Sequence, residues 1–167
     1  EKIEELADRG KTPLLFAKNG KYYGIIAVAD IVKPTSKEAI EKLRSMGIDV
    51  IMLTGDNKRT ARGIAKDLNL TDTIADVLPQ DKERVVAELR DAGKIVAMVG
   101  DGVNDAPALV RADVGVAIGA GTDVAIESAD VVLMKNDLLD VANAIRLGKA
   151  VIRNIKQDLF RAFFYNC

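Results

Sequence analysis

From Thr35 onward the chain alternates two kinds of segment, and this alternation constrains the fold more than any other feature. "IDVIMLTGD", "KIVAMVGD", "VGVAIG" and "ADVVLM" are short runs that are apolar at successive positions. Between them lie stretches with helical spacing, such as Ala61, Ile64, Ala65 and Leu68 in "NKRTARGIAKDL". Strands apolar on both faces and separated by helices form a parallel sheet that is covered on both sides. Residues 31–135 therefore read as a doubly wound α/β domain with a mainly parallel sheet. Sheets of this kind take ligands beyond the C-terminal ends of their strands. The residues that close "MLTGD" and "MVGD" become the candidate site.

The flanking segments read differently. Residues 1–10 look like the end of a short helix closed by Gly10. "TPLLFAKNGKYYGIIAVAD" reads as a β-hairpin turning at Asn19-Gly20. Thr35 and Glu38 have capping-box spacing at the start of the first domain helix, which buries Ile40, Leu43 and Met46 and closes at Gly47. Pro79 suits the first turn of a helix that buries Val85, Val86 and Leu89 and ends at Gly93. A short helix is expected around 122–128. In the tail, Val151, Ile152, Ile155, Leu159 and Phe163 share a helical face. That face suits a helix approaching a membrane or partner, or one packing on its own domain.

Composition removes several function classes. The net charge is −1 with Lys and Arg scattered, so no nucleic-acid partner is expected. There is no histidine, which excludes His-based zinc sites and a Ser-His-Asp triad. The single cysteine, Cys167, allows no internal disulfide. No apolar run approaches the roughly 20 residues of a membrane span. The chain starts at Glu1 and stops within an apolar stretch, so it is expected to be part of a longer protein.

The chemistry concentrates in three motifs. In "VGDGVNDAPAL", Asp101 and Asp105 stand four residues apart with Gly102 and Asn104 between them. Magnesium takes hard oxygen ligands, usually one or two carboxylates with water and phosphate oxygens. Asp101 and Asp105 meet that need, and Asn104 can hydrogen-bond phosphate or metal-bound water. A Gly/Asn/Asp turn joining strand to helix has the same composition. In "LTGDN", Thr54 and Gly55 offer a hydroxyl and a backbone N–H at a helix N-terminus, a phosphate cradle. Alternatively Asp56 or Asn57 simply caps that helix. In "PQDK", Lys82 sits in a helix's first turn, where the helix dipole disfavours a cation. It makes sense there if it points at a phosphate; otherwise it is an exposed lysine.

Taken together and in this order, the motifs resemble the haloacid dehalogenase superfamily. More narrowly, "MLTGDN", "PQDK" and "MVGDGVNDAPAL" resemble the phosphorylation domain of P-type ATPases, and "ADIVKP" resembles its connection to the nucleotide domain. The resemblance covers nearly the whole chain. It implies a haloacid dehalogenase-like fold in three parts: residues 1–29 as the last helix and hairpin of the nucleotide-binding domain, 30–148 as the phosphorylation domain, and 149–167 as a helix leading into a truncated transmembrane segment. It also implies phosphoryl transfer from MgATP to an aspartate. Thr54, Gly55 and Lys82 would bind the phosphoryl oxygens, Asp56 belongs to the same catalytic motif, Asp101 would ligate Mg²⁺, and Asn104 and Asp105 would orient phosphate and metal-bound water.

The family's nucleophile lies in an Asp-Lys-Thr-Gly-Thr motif, which is absent, as is its adenine-side His-Pro pair. In the family the nucleophile motif precedes the position of residue 1. The chain alone is therefore expected to be inactive, with a gap where the nucleophile's central strand would lie. The pattern Gln-x-Leu-Phe-x-Ala-Phe-x-Tyr-Asn resembles the copper(I) pumps within the heavy-metal branch and differs from the zinc and cadmium pumps. Asp158 and Arg161 depart from it. By that resemblance Tyr165 and Asn166 would contribute to the path of transported copper(I) or silver(I), and the domain would sit at the cytoplasmic face of a cell membrane. Its partners would be the rest of the same polypeptide: the nucleophile strand, the nucleotide domain and the transmembrane helices. Two other readings compete: a soluble phosphatase of the superfamily, and a non-catalytic Mg²⁺- or phosphate-binding module.

Overall fold

A computed structural model describes residues 2–8, 11–28, 32–119 and 123–165. The chain opens with a short helix, α1 (Lys2–Asp8), and a hairpin of β1 (Thr12–Lys18) and β2 (Lys21–Val28). The hairpin pairs antiparallel with Lys18 opposite Lys21. Its two-residue turn uses Asn19 at φ 51° and Gly20 at φ 73°, the double positive-φ geometry that Asn-Gly favours. Leu14 and Leu15 point to opposite faces and both are exposed, so each face of the hairpin carries an exposed leucine. A lone two-stranded hairpin is marginal in water. Gly10 lies outside the described residues.

The α/β part follows as α2 (Pro34–Ser45), β3 (Ile51–Leu53), α3 (Lys58–Leu68), β4 (Asp72–Ile74), α4 (Lys82–Asp91), β5 (Ala97–Gly100), α5 (Ala106–Arg111), β6 (Val114–Ile118), α6 (Asp123–Glu127), β7 (Val131–Leu133) and α7 (Leu138–Tyr165). Helix α2 starts one residue before Thr35, because Pro34 takes the first helical position, where its fixed φ is preformed. Lys33 is the N-cap and no side chain caps the helix, so the Thr35–Glu38 capping box is not made. Thr35 instead hydrogen-bonds Asp137, whose carboxyl also accepts from the Leu139 N–H at the start of α7. These bonds, the backbone one foremost, hold Asp137 below its ordinary pKa.

The strands pair in parallel but form two sheets: β3–β4, and β5–β6–β7 with β6 in the middle. Among the described residues β3 pairs only with β4, and β5 only with β6, so each has one free edge. The single doubly wound sheet is thus in two pieces, divided between β3 and β5. On β6, Val116 and Ala117 face opposite sides and are both buried, as a two-sided central strand requires. The core around it includes Val85 and Val86 of α4, and Leu109 of α5, the largest fully buried side chain. At the other end of the strands, Asp113 accepts from the Val96 N–H at 2.8 Å and pairs with Arg90 at 2.9 Å. The Val96 bond is the main cause that lowers the Asp113 pKa; desolvation opposes it, and the Arg90 guanidinium lowers it further.

Helix α7 is one continuous element of 28 residues from Leu138, so it runs across the boundary expected between 148 and 149. Its first turns pack on α2 through Val141 and Ala142. Lys33 reaches the Asn136 carbonyl at one end and Lys149 reaches the Met46 carbonyl at the other, so the two helices run side by side in the same direction. Beyond α2, every residue from 151 to 165 is exposed. No helix among the described residues is long and apolar enough to cross a membrane.

Candidate phosphate and metal site

The site is assembled from the loops after β3, β4 and β5. Thr54 follows β3 directly. Its N–H donates to the Ile74 carbonyl at 3.0 Å and its carbonyl accepts from the Val77 N–H at 3.1 Å. The Asp76 N–H donates to the Asp56 carbonyl at 2.8 Å, so the loops after β3 and β4 are laced together through backbone bonds. The Thr54 hydroxyl donates to Asp56 Oδ2 at 3.0 Å and accepts from the Asp56 N–H at 3.1 Å. A Cβ on Gly55 would stand 3.3 Å from the Val77 carbonyl, so a side chain there would crowd the lacing.

The capping question is resolved by Asn57. Its Oδ1 accepts from the N–H groups of Arg59 and Thr60 at 3.1 and 3.0 Å, and it is the N-cap of α3. Asp56 is therefore free of capping duty and holds the Thr54 hydroxyl instead.

A single 3₁₀ turn (Pro79–Asp81) delivers Lys82 to the first position of α4. Its ammonium lies 2.6 Å from Asp105 Oδ1, with side chains 20% and 11% exposed. Lys82 is thus not a solvated lysine. A mostly buried ion pair offsets the desolvation of both charges only with close geometry. Asp105 is brought there by a 3₁₀ turn (Val103–Asp105) and a bond from its N–H to the Gly102 carbonyl at 3.0 Å. Its carboxylate folds back against Gly100. A Cβ on Gly100 would stand 2.7 Å from Asp105 Cβ and 2.8 Å from Oδ2, so only glycine leaves room. Asp101 and Asn104 flank the pair and are exposed.

The structure therefore brings Lys82 to Asp105 and Thr54 to Asp56, leaving Asp101 and Asn104 facing solvent. Tyr165 lies at the end of α7 and is 92% exposed; Asn166 and Cys167 lie outside the described residues. Asp76, at φ 57°, was not among the expected site residues. Its contribution is a backbone bond, which leaves no mark in side-chain patterns. Among the described residues no three His, Cys, Asp or Glu side chains are placed to hold a metal. A divalent ion here would have the shell magnesium favours, one or two carboxylates completed by water and phosphate. Asp101 fits that role as an exposed carboxylate, while Asp105 has one oxygen committed to Lys82.

A model of the haloacid dehalogenase-like hydrolase family matches residues 1–113, and a second model of the same description matches 83–145. The chain belongs to the haloacid dehalogenase-like hydrolases. Within that family it is 55% identical over 163 residues to copper-transporting ATPase 1 of Rhizobium meliloti, covering 98% of this chain and 20% of that protein. It is 58% identical over 157 residues to a copper-exporting P-type ATPase of Staphylococcus aureus (strain JH9), covering 94% of this chain and 20% of that protein. The chain spans about a fifth of the length of these curated relatives. Among solved structures, a zinc-transporting PIB-type ATPase in the E2·Pi state superimposes with a TM-score of 0.81 at 42% identity, over 93% of this chain and 25% of that one. The catalytic domain of the CPx-ATPase CopB-B matches at 0.62 and 37% identity, over 76% of this chain and 50% of that one.

Proposed function

We propose that this chain is the phosphate- and magnesium-binding part of an ATP-driven copper(I) transporter, in which a phosphoryl group passes from ATP to an aspartate upstream of residue 1. The observation that carries phosphoryl transfer is the Lys82–Asp105 pair beyond β5. A mostly buried ammonium fixed at the first position of α4 is a preorganised charge for phosphoryl oxygens, and such transfer depends on positioning and charge neutralisation. Lys82 meets those oxygens. The Gly55 backbone N–H and the Thr54 hydroxyl hydrogen-bond them, the hydroxyl turning its proton from Asp56 to the phosphoryl oxygen. Asp105 holds Lys82 in register, and Asn104 orients phosphate or water. Asp101, with the second Asp105 oxygen, would hold Mg²⁺, which when bound neutralises phosphate charge.

The two free strand edges support the domain reading. The strand carrying the nucleophile inserts between β3 and β5 and joins the two sheets. Almost the whole chain superimposes on one longer ATPase chain, which supports the two sheets keeping the spacing of a complete domain. The exposed apolar side chains of the hairpin, Leu14, Leu15, Phe16 and Ile26 among them, support residues 1–29 as the edge of a nucleotide-binding domain, with 30–148 as the phosphorylation domain. The segment 149–167 leads on toward the transmembrane part, which sets the domain at the cytoplasmic face. The remaining partners are the transmembrane helices and the transported ion.

Copper is favoured over zinc because identity is 55–58% to copper transporters and 42% to the zinc transporter. The transported ion in this reading is copper(I) or its nearest chemical analogue, silver(I). The test is ATP hydrolysis by the protein extended to its natural ends in lipid, with copper(I), zinc or no metal. Stimulation by copper(I) supports the reading. Stimulation by zinc alone removes Tyr165 and Asn166 as copper contacts. Metal-independent hydrolysis of simple phosphate esters favours a soluble phosphatase instead.

A further inference from the structure

Among the described residues, those other than glycine that hold a positive φ are Asn19, Asn69 and Asp76. Side chains disfavour this left-handed region, and Asn and Asp enter it more readily than most. Asn19 serves the hairpin turn, and Asn69 is the C-cap of α3. Asp76, at φ 57°, serves neither purpose: it lies in the loop after β4, two residues beyond Ile74. Its side chain is exposed and meets no partner among the described residues. Strained backbone of this kind gathers at functional sites, where the surroundings hold it in place.

In a turn conformation successive N–H groups can point to one side. At Asp76 two of them reach the loop after β3. The Asp76 N–H donates to the Asp56 carbonyl at 2.8 Å, and the Val77 N–H donates to the Thr54 carbonyl at 3.1 Å. These two carbonyls stand on either side of Gly55. The Thr54 N–H turns the same way, donating to the Ile74 carbonyl at 3.0 Å. The peptides here are trans, and in a planar trans peptide the N–H points opposite to the C=O. With the Thr54 carbonyl held toward the β4 loop, the Gly55 N–H points away from it, toward the free edge of β3. Among the described residues no acceptor meets that N–H.

We propose that Asp76 is a positioning residue for phosphoryl transfer: its left-handed backbone grips both sides of Gly55 and aims the Gly55 N–H at the arriving phosphoryl oxygens. This role rests on the phosphoryl-transfer reading above, with the upstream strand lying along the free edge of β3. A donor aimed in advance needs no reorganisation as charge develops on those oxygens. The Asp76 carboxylate takes no part, so the role follows φ and not charge.

The experiment follows the phosphorylated intermediate formed from γ-labelled ATP and Mg²⁺ on the chain joined to its upstream residues, in single turnover across a range of ATP concentrations. Asp76→Gly and Asp76→Asn keep the left-handed region open and should stay within about twofold of the parent's maximal rate. Asp76→Val carries a β-branched side chain, which fits that region poorly. It should lower the maximal rate by roughly 10–100-fold, short of the loss when such a donor is removed outright, and leave the half-saturating ATP concentration little changed. Asp76→Ala should fall between valine and glycine, and it carries the comparison if the valine protein does not fold. Unfolding lowers the final amount of label, whereas a misaimed donor lowers the rate at which the folded protein takes it. An Asp76→Gly protein as slow as Asp76→Val overturns the proposal, because the carboxylate then matters. So does labelling of the alanine and valine proteins at the parent's rate. An unsubstituted joined protein that takes no label removes the phosphoryl reading itself, and this role with it.

Discussion

Replacing Gly100 with alanine tests how the site is held together. The added methyl would lie 2.7 Å from Asp105 Cβ, 2.9 Å from Cγ and 2.8 Å from Oδ2. Ordinary carbon contacts lie at about 3.5–4.0 Å, so the overlap is close to 1 Å. Rotating the Asp105 side chain does not relieve it, because Cβ is itself in contact. The turn carrying Asp105 has to shift, which draws Oδ1 away from Lys82. Overpacking of this kind costs about 1–3 kcal/mol. Separating a mostly buried pair costs up to about 3–5 kcal/mol when one partner is removed outright, and less here because both groups remain. The expected total is about 2–3 kcal/mol, a fall in melting temperature of roughly 4–10 °C for a domain of this size. Urea and thermal denaturation followed by circular dichroism measure it. A double-mutant cycle isolates the cause: in an Asp105→Gly background all three contact atoms are gone, so Gly100→Ala should cost little. A Gly100→Ala penalty below about 0.5 kcal/mol, or one that persists in the Asp105→Gly background, refutes the argument.

Three further outcomes follow from the fold. Leu109→Ala removes the largest fully buried side chain and should cost about 2–5 kcal/mol in urea denaturation. Asp113 has a lowered folded-state pKa, so its contribution to stability is complete above the unfolded carboxylate value and is lost as pH falls through the folded one. Below about pH 4 the parent should therefore lose stability more steeply than Asp113→Asn, as acid titration of the denaturation midpoint will reveal. Amides on the free edges of β3 and β5 should exchange rapidly with deuterium in this chain, and should become protected when the upstream residues are joined to it.

Much of the architecture was legible because it rests on local pattern. Apolar runs at successive positions marked β3, β5, β6 and β7, and Asn19-Gly20 fixed the hairpin turn. Features decided by competition between neighbours were harder to read. Pro34 overrode the Thr35–Glu38 capping signature because a preformed φ at the first helical position outweighs a side-chain cap one residue on. β4 is three residues, Asp72–Ile74, too short for any periodicity. The start of α7 at Leu138 was obscured because its first turns face α2 and carry a mixed pattern. At the site, Lys82 and Asp105 were identifiable as residue types in suggestive places. Their pairing depends on two loops 23 positions apart in sequence meeting over Gly100, which no local pattern encodes. The role of Asp76 is carried by its backbone, so its side chain gave no sign.

The central claim is that this chain supplies one half of a phosphoryl-transfer site and an upstream strand supplies the other. The most direct test is the phosphorylated intermediate, measured with γ-labelled ATP and Mg²⁺ on this chain alone and on the same chain joined to its upstream residues. The account predicts no label on the chain alone and acid-stable, hydroxylamine-labile label on the joined protein. Lys82→Ala should slow formation of that label by roughly 10²–10³-fold, as loss of a preorganised charge does, and Asp101→Ala should abolish it. Label on the 167-residue chain by itself, or full-rate labelling of the joined Lys82→Ala protein, would contradict the account.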